Sequence, residues 1–284
     1  MKVEVDGREL TLTNLDRVLW PTPRFTKGDL VDYYTRVAPA ILPHLAGRPL
    51  SMVRLPHGVT GRLFLQNECR GAPDWMATAE LTLRTGETRR YCVVNDAASL
   101  VWVANLGTVE LHPYAAPAER PDEPPALLLD LDPGPGTTFA DVCRVALALR
   151  RLAAERGLVP LPKTSGGAGL HLYARLHAGT NFETARTLGR ALAAATTREL
   201  PDLIAPPDAR ARQADRVLVD WLQNDPRRST IAPYSLRVDR APGVSTPLLW
   251  SEVEAATSPL RFNPRAVLRR IDEHGDLFAA AARE

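Results

Sequence analysis

Lysine is scarce in this chain: the 35 basic residues include only Lys2, Lys27 and Lys163, the rest being arginine. A formal net charge of +2 is too small to predict nucleic-acid binding by itself, so any such binding must come from local clusters of positive charge. Cys69, Cys92 and Cys143 lie far apart and form no Cys-x-x-Cys pair. That spacing argues against a zinc ribbon or a disulfide framework, and all three read as ordinary buried thiols. No apolar stretch approaches the roughly 20 residues that cross a bilayer. The start, Met1-Lys-Val-Glu-Val-Asp-Gly-Arg8, lacks the apolar core of a secretion signal. A cytoplasmic protein with no membrane partner is therefore expected. What the chain has in quantity is apolar content: 284 residues at 45% hydrophobic composition can bury a large core, as one domain or two intimate subdomains.

The stretch Ala126-Leu-Leu-Leu-Asp-Leu-Asp-Pro-Gly-Pro-Gly136 reads as a buried strand ending in a turn. Side chains alternate along a strand, so Asp130 and Asp132 point to one face. Two carboxylates this close beside an apolar run repel each other and are costly to desolvate unless a cation or hydrogen-bond donors compensate them, a geometry that suits a divalent metal. The alternative is a pair of solvated turn residues capping the next helix, and Asp-x-Asp alone does not decide between the two. A third acid, Asp220, interrupts the apolar strand of Val217-Leu-Val-Asp-Trp-Leu-Gln-Asn224. If that strand lies beside the first, three carboxylates converge, which is what a two-metal phosphoryl or nucleotidyl transfer site requires.

In Lys163-Thr-Ser-Gly-Gly-Ala-Gly-Leu-His171, the glycines let a tight turn expose backbone N–H groups, which with the Ser165 hydroxyl could cradle phosphate oxygens. Gly166 and Gly167 carry that turn, and His171 starts the next strand. Hairpins need glycine in any case, and a lone His is more often a satisfied core residue. His112 and Arg237 could face the same cleft or simply pack. Arg17, Arg24 and Lys27 form a basic group, with Lys27 just ahead of a helix whose free N–H groups could meet a phosphate. Phe64 and Trp75 could stack on bases, although aromatics at these spacings are more often core.

Periodicity predicts a strand pair over Val3 to Leu12 and a helix from near Asp29 that Pro39 kinks or ends. Strands are expected over Ser51 to Leu55, Arg62 to Leu65, Tyr91 to Val94 and Thr108 to His112, with an Asp96-capped helix before the last of these. Beyond 126 come a helix capped near Thr137, a strand-turn-strand unit over Val159 to Arg175, a helix over about Glu183 to Thr197 and a polar, Pro-containing loop. Strands over Arg216 to Gln223 and Ala232 to Val238 and a helix after Asn263-Pro264 complete an α/β (α+β) chain.

Taken together, Leu12-Thr-Asn-Leu-Asp-Arg-Val-Leu-Trp-Pro21, Phe25-Thr-Lys-Gly-Asp29, Trp102-Val-Ala-Asn-Leu-Gly107, Glu110-Leu-His-Pro113, Leu129-Asp-Leu-Asp-Pro-Gly134, Lys163-Thr-Ser-Gly-Gly167, Gly169-Leu-His171, Val219-Asp-Trp-Leu-Gln-Asn224 and Ala232-Pro-Tyr-Ser-Leu-Arg237 resemble the polymerase domain of bacterial ligase D, of the archaeo-eukaryotic primase superfamily. The resemblance runs over nearly the whole chain and suggests a stand-alone version. It implies a single primase-polymerase domain over 1–284 with a two-lobed fold: an N-terminal lobe over about 1–115, a catalytic lobe over about 126–240 with an RRM-like mixed sheet bearing the acids, and a C-terminal helical segment over about 250–284. It implies template-directed nucleotidyl transfer from NTP or dNTP with two Mn²⁺ or Mg²⁺ ions. A monomer is expected, nucleoid-associated, filling gaps and extending ends in non-homologous end joining beside Ku and a DNA ligase.

By matching position, Asp130, Asp132 and Asp220 hold the metals, and Ser165, Gly166, Gly167, His171, His112 and Arg237 bind the triphosphate. Arg17 and Lys27 take the 5′-phosphate across a gap, and Phe64 stacks on the template. Ala168 stands where many members carry a basic residue, and Leu65 and Asn67 where relatives often have Phe and Lys. Asp-x-Asp also opens a haloacid-dehalogenase-like phosphatase site, but that site needs no Gly-turn-His unit. A Mn²⁺-dependent glycosyltransferase leaves Asp220 unexplained, and the intact acid triad speaks against an inactive nucleic-acid-binding adaptor.

Overall fold

The computed structural model describes residues 1–83, 85–205 and 215–282. In chain order these form β1 (Lys2–Val5), β2 (Arg8–Thr11), β3 (Val18–Trp20), β4 (Phe25–Thr26), α1 (Lys27–Leu45), β5 (Pro49–Arg54), β6 (Phe64–Gln66), β7 (Thr78–Thr82), β8 (Thr88–Val93), α2 (Ala97–Asn105) and β9 (Thr108–Pro113). There follow β10 (Ala126–Pro133), α3 (Phe139–Ala154), β11 (Pro160–Thr164), β12 (Leu170–Arg175), α4 (Phe182–Glu199), β13 (Val217–Asp220), β14 (Leu236–Arg237), β15 (Gly243–Val244), α5 (Trp250–Ala255), α6 (Pro264–His274) and α7 (Ala279–Ala282). Part of the polar loop expected before β13 lies outside the described residues. Among those described, no helix is long and apolar enough to cross a membrane.

The chain divides into two compact units, one of residues 1–119, 229–245 and 262–276, the other of 120–228, 246–261 and 277–284. This differs from the lobes expected: residues 229–245, with Arg237, pack in the first unit, and the C-terminal segment is shared out. The cause is hydrogen bonding in the 232–236 segment. Ala232 N–H donates to Leu111 O, Leu111 N–H to Ser235 Oγ, and the Tyr33 hydroxyl to Tyr234 O. Tyr234 has a positive φ of 65°, so the strand expected from Ala232 shrinks to Leu236–Arg237, paired with β15.

In the first unit, β5 pairs antiparallel with β9 along one edge and with β6 and β8 along the other, and β7 extends the sheet from β8. Helix α1 does not end at Pro39 but continues through both Pro39 and Pro43. Each interior proline costs about 3 kcal/mol. Both rings are exposed, whereas Leu30, Tyr33, Tyr34, Val37, Ile41 and Leu45 on the other face are buried. At about 1.5–3 kcal/mol for each large apolar side chain, that face outweighs the two lost bonds.

Cys69 and Cys92 form a disulfide, Cα–Cα 4.8 Å, which corrects the reading of three free thiols. Their 23-residue separation concealed that β5 pairs with both β6 and β8, and the Cys69 N–H also donates to Arg90 O. Cys143 is buried and free.

In the second unit the sheet order is β11-β12-β10-β13, with every ladder antiparallel and a parallel bridge between Ile204 and Val217 at its edge. Leu127, Leu129 and Leu131 are buried on one face of central β10, and α3 and α4 pack against this sheet. Thr138 caps α3 through a reciprocal bond with Asp141, one residue after the cap expected. Strand β13 ends at Asp220 rather than Gln223.

Candidate functional site

Because directly opposed residues share a face in an antiparallel ladder, the register fixes what surrounds the acids. Asp130 lies opposite His171 of β12 on one side and Asp220 of β13 on the other, and Lys163 of β11 lies opposite His171. One row across four strands thus reads Lys163, His171, Asp130, Asp220. Asp132 is on the same face two residues further along β10, opposite Leu218. The His171 Nε2 is 3.3 Å from Asp130 Oδ1, and both Lys163 and His171 are buried, with the Lys163 ammonium over the Tyr173 ring.

Asp220 is held by the turn that follows it, Oδ1 accepting from Leu222 N–H at 2.7 Å and Oδ2 from Gln223 Nε2 at 3.2 Å. Burial pushes its carboxyl above the usual carboxylate range; the Leu222 bond opposes the shift and the Asp130 charge adds to it. Where β13 stops, the buried Asn224 takes over. Its Oδ1 accepts from Leu128 N–H at 2.9 Å and its Nδ2 donates to Leu128 O at 2.7 Å, so a side-chain amide continues the ladder on β10. The adjoining Asp225 binds Arg186 of α4 and Arg227. Sequence reasoning missed Asn224; an amide four residues after a strand-ending acid carries little local signal.

The β11–β12 turn approaches β10 closely. A Cβ at Gly169 would lie 2.3 Å from Leu131 O and 3.5 Å from Asp132 Oδ1, so only glycine fits. Gly166 adopts φ 86°, and Gly167 N–H donates to Ser165 Oγ at 3.2 Å. That amide is therefore engaged within the turn, while Gly167 and Ala168 stand exposed at its tip.

No group of three or more His, Cys, Asp or Glu among the described residues is gathered closely enough to hold a metal ion. The donor set nevertheless suits one. Asp130 and Asp220 are opposed carboxylates, the second raised chiefly by burial with the Asp130 charge adding to it, and Asp132 shares their face.

The first unit holds the other candidates. His112 and Arg237 meet at Glu110, whose Oε2 accepts from His112 Nε2 at 2.8 Å and Arg237 NH1 at 3.2 Å. Glu110 is buried, yet its carboxyl lies below the usual range. Burial raises it, but the His112 bond, the Arg237 charge and the Val238 N–H together prevail. Lys27 is buried too, its Nζ donating to Thr13 O and Oγ1. Burial, with Arg17 and Arg54 nearby, pushes its ammonium down to about 8. Arg17 donates to Pro56 O at 2.5 Å.

Helix α1 starts at Lys27 itself, and its first amides are taken: Lys27 N–H donates to Arg17 O, Gly28 N–H to Leu15 O, and Asp29 N–H to Thr26 Oγ1. This corrects the expectation of free N–H groups for a phosphate. Phe64 is 39% exposed on β6 with the Arg62 guanidinium 5.5 Å above its ring. It lines a cavity of about 550 Å³ with Arg54, Leu65, Asn67, Arg70 and Arg89. Trp75 instead lies under Arg8 and packs on the core.

Comparison with known proteins adds to this geometry. Residues 26–278 match the family "LigD, primase-polymerase domain". The chain is 37% identical over 272 residues to the multifunctional non-homologous end joining protein LigD of Mycolicibacterium smegmatis, covering 94% of this chain and 35% of that protein. It is 28% identical over 269 residues to the bifunctional LigD of Bacillus subtilis, covering 94% and 43%. The chain thus spans roughly a third to two fifths of the length of these relatives. The polymerase domain of Mycobacterium tuberculosis ligase D, solved in complex with DNA, superposes with a TM-score of 0.90 at 35% identity, covering 96% of this chain and 98% of that one.

Proposed function

Because this chain belongs to the LigD primase-polymerase family, we propose that it is a template-directed nucleotidyltransferase that fills gaps and extends ends in DNA repair by non-homologous end joining. In this reading a primer 3′-hydroxyl loses its proton and its oxygen forms a bond to the α-phosphorus of an NTP or dNTP, while the bond from that phosphorus to the bridging oxygen breaks and pyrophosphate leaves. Asp130, Asp132 and Asp220 would hold divalent Mn²⁺ or Mg²⁺, which when bound lowers the pKa of the attacking hydroxyl and offsets charge on the transferred phosphate.

The chain's own groups bind and orient. By the resemblance, the Ser165 hydroxyl, the turn through Gly166 and Gly167, His171, His112 and Arg237 serve the triphosphate. Arg17 and Lys27 take a 5′-phosphate, and Phe64 offers a stacking face to the template. Partners of such an activity are DNA with gaps or ends, Ku and a DNA ligase, and its place of work is the nucleoid.

The observation that carries this reading is the register that sets Asp220 and His171 on either side of Asp130. Primer extension on gapped DNA with Mn²⁺ and ribo- or deoxynucleotides tests it. Extension by the wild type and none by folded Asp220→Ala is expected. Robust extension by Asp220→Ala removes that residue from the site, DNA binding without any extension favours an adaptor, and phosphate release with a phospho-Asp130 favours a phosphatase.

A further inference from the structure

Glu110 stands two residues before His112 on β9, so their side chains share a face. It is 6% exposed, and its neighbours are all donors: His112 Nε2 at 2.8 Å and Arg237 NH1 at 3.2 Å on Oε2, and Val238 N–H at 2.8 Å on Oε1. The backbone on either side of it is pinned as well. Val109 O accepts from the Tyr34 hydroxyl, and Leu111 N–H donates to Ser235 Oγ. A carboxylate this deeply buried is tolerated only where such donors compensate it.

We propose that Glu110 is a positioning residue that gathers His112 and Arg237 into one preorganised anion-binding pair for the triphosphate of the incoming nucleotide. This rests on the role proposed above for those two side chains. Two reasons support it. A protonated imidazole and a guanidinium at this spacing repel each other unless an anion lies between them, so without Glu110 the ligand itself must assemble the pair and loses affinity for doing so. A carboxylate also only accepts, so it engages the Nε2–H of His112, and a charged imidazole then keeps its Nδ1–H as a donor for a phosphate oxygen.

The competing account is purely structural, with Glu110 tying β14 to β9 through Val238. Glu110→Gln separates the two, because it keeps an oxygen for Val238 N–H but removes the charge shared by His112 and Arg237. Nucleotide affinity is read from binding of a fluorescent ATP analogue without primer, and KM and kcat from primer extension. With folding verified by Tm, Glu110→Gln is expected to raise Kd and KM about tenfold and to leave kcat within a few-fold. In a His112→Ala/Arg237→Ala background the same change should add less than about twofold, since there is no pair left to position.

Unchanged or tighter binding by Glu110→Gln overturns the proposal, as does an equal loss in both backgrounds. If His112→Ala and Arg237→Ala leave nucleotide affinity untouched, the pair is not at the nucleotide, and the proposal falls while the assignment of Asp220 stands. Should Glu110→Gln fail to fold, Glu110→Asp keeps the charge but withdraws it by one methylene. It is expected to weaken binding partially, and wild-type affinity in that variant also overturns the proposal.

Discussion

Lys27 gives the proposed 5′-phosphate contact a pH dependence whose sign and size follow from its surroundings. Burial, with the charges of Arg17 and Arg54, lowers its ammonium to about 8, so in free protein it is about 90% charged at pH 7 and about 10% at pH 9. A terminal phosphate, with a second pKa near 6, is a dianion throughout this range. A charge-assisted bond to it is worth about 1.5–3 kcal/mol. By linkage, phosphate binding therefore raises the ammonium by about one to two pH units, to roughly 9–10. The advantage of a 5′-phosphate over a 5′-hydroxyl is fully present below pH 8 and is lost as pH rises from there towards the bound value. Between pH 7 and pH 9 the affinity ratio should fall about five- to tenfold.

Competition between 5′-phosphorylated and 5′-hydroxyl gapped duplexes, followed by fluorescence anisotropy at fixed low ionic strength, measures that ratio. Lys27→Ala should show a smaller ratio that does not move with pH, and Arg17→Ala should shift the wild-type midpoint upward by removing one of the repelling charges. A flat wild-type ratio from pH 7 to pH 9, or the same slope in Lys27→Ala, would refute the reasoning.

Three further outcomes are expected. Introducing Lys at Ala168, exposed at the tip of the β11–β12 turn, should lower the nucleotide KM severalfold, and an unchanged KM would show that the turn does not approach the phosphates. Gly169→Ala forces a Cβ to within 2.3 Å of Leu131 O; because overpacking costs about 1–3 kcal/mol, it should lower Tm and reduce kcat, whereas wild-type Tm and kcat would contradict the close approach. Alkylation of denatured, unreduced protein should label Cys143 alone, and Cys69→Ser should lose about 3 kcal/mol in urea unfolding; three labelled thiols would rule out the pairing.

What could be read in the residues was mostly what local periodicity or a motif encodes. The apolar strand with Asp130 and Asp132 on one face, the Gly-rich turn, the Asp96 cap and the helix opening at Asn263-Pro264 all announce themselves within a few positions. Misreadings arose where distant segments decide the matter. Pro39 reads as a helix stop until its ring is seen to lie on the exposed side of a helix held by its opposite face. Cys69 and Cys92 read as free until one strand is seen to pair with both their neighbourhoods. The helix start at Lys27 reads as open to phosphate until the 13–17 loop is seen to occupy its amides.

The residues that organise the candidate site share this character. Asp130 and Asp220 are legible as unusual acids, but nothing near either predicts that they stand in one row, because that depends on where β13 pairs along β10. Register is set by whatever fixes the strand's end. Here that end is fixed from outside the ladder by Asn224, which grips both backbone groups of Leu128, the residue two before Asp130 on the same face. A slip of β13 by one residue would turn Asp220 to the face that carries buried Leu127, Leu129 and Leu131, and would break both Asn224 bonds at once. Burial of the wrong group and loss of the amide clamp thus penalise the same error. The opposed carboxylates are therefore held by two independent costs rather than by the four residues of β13 alone.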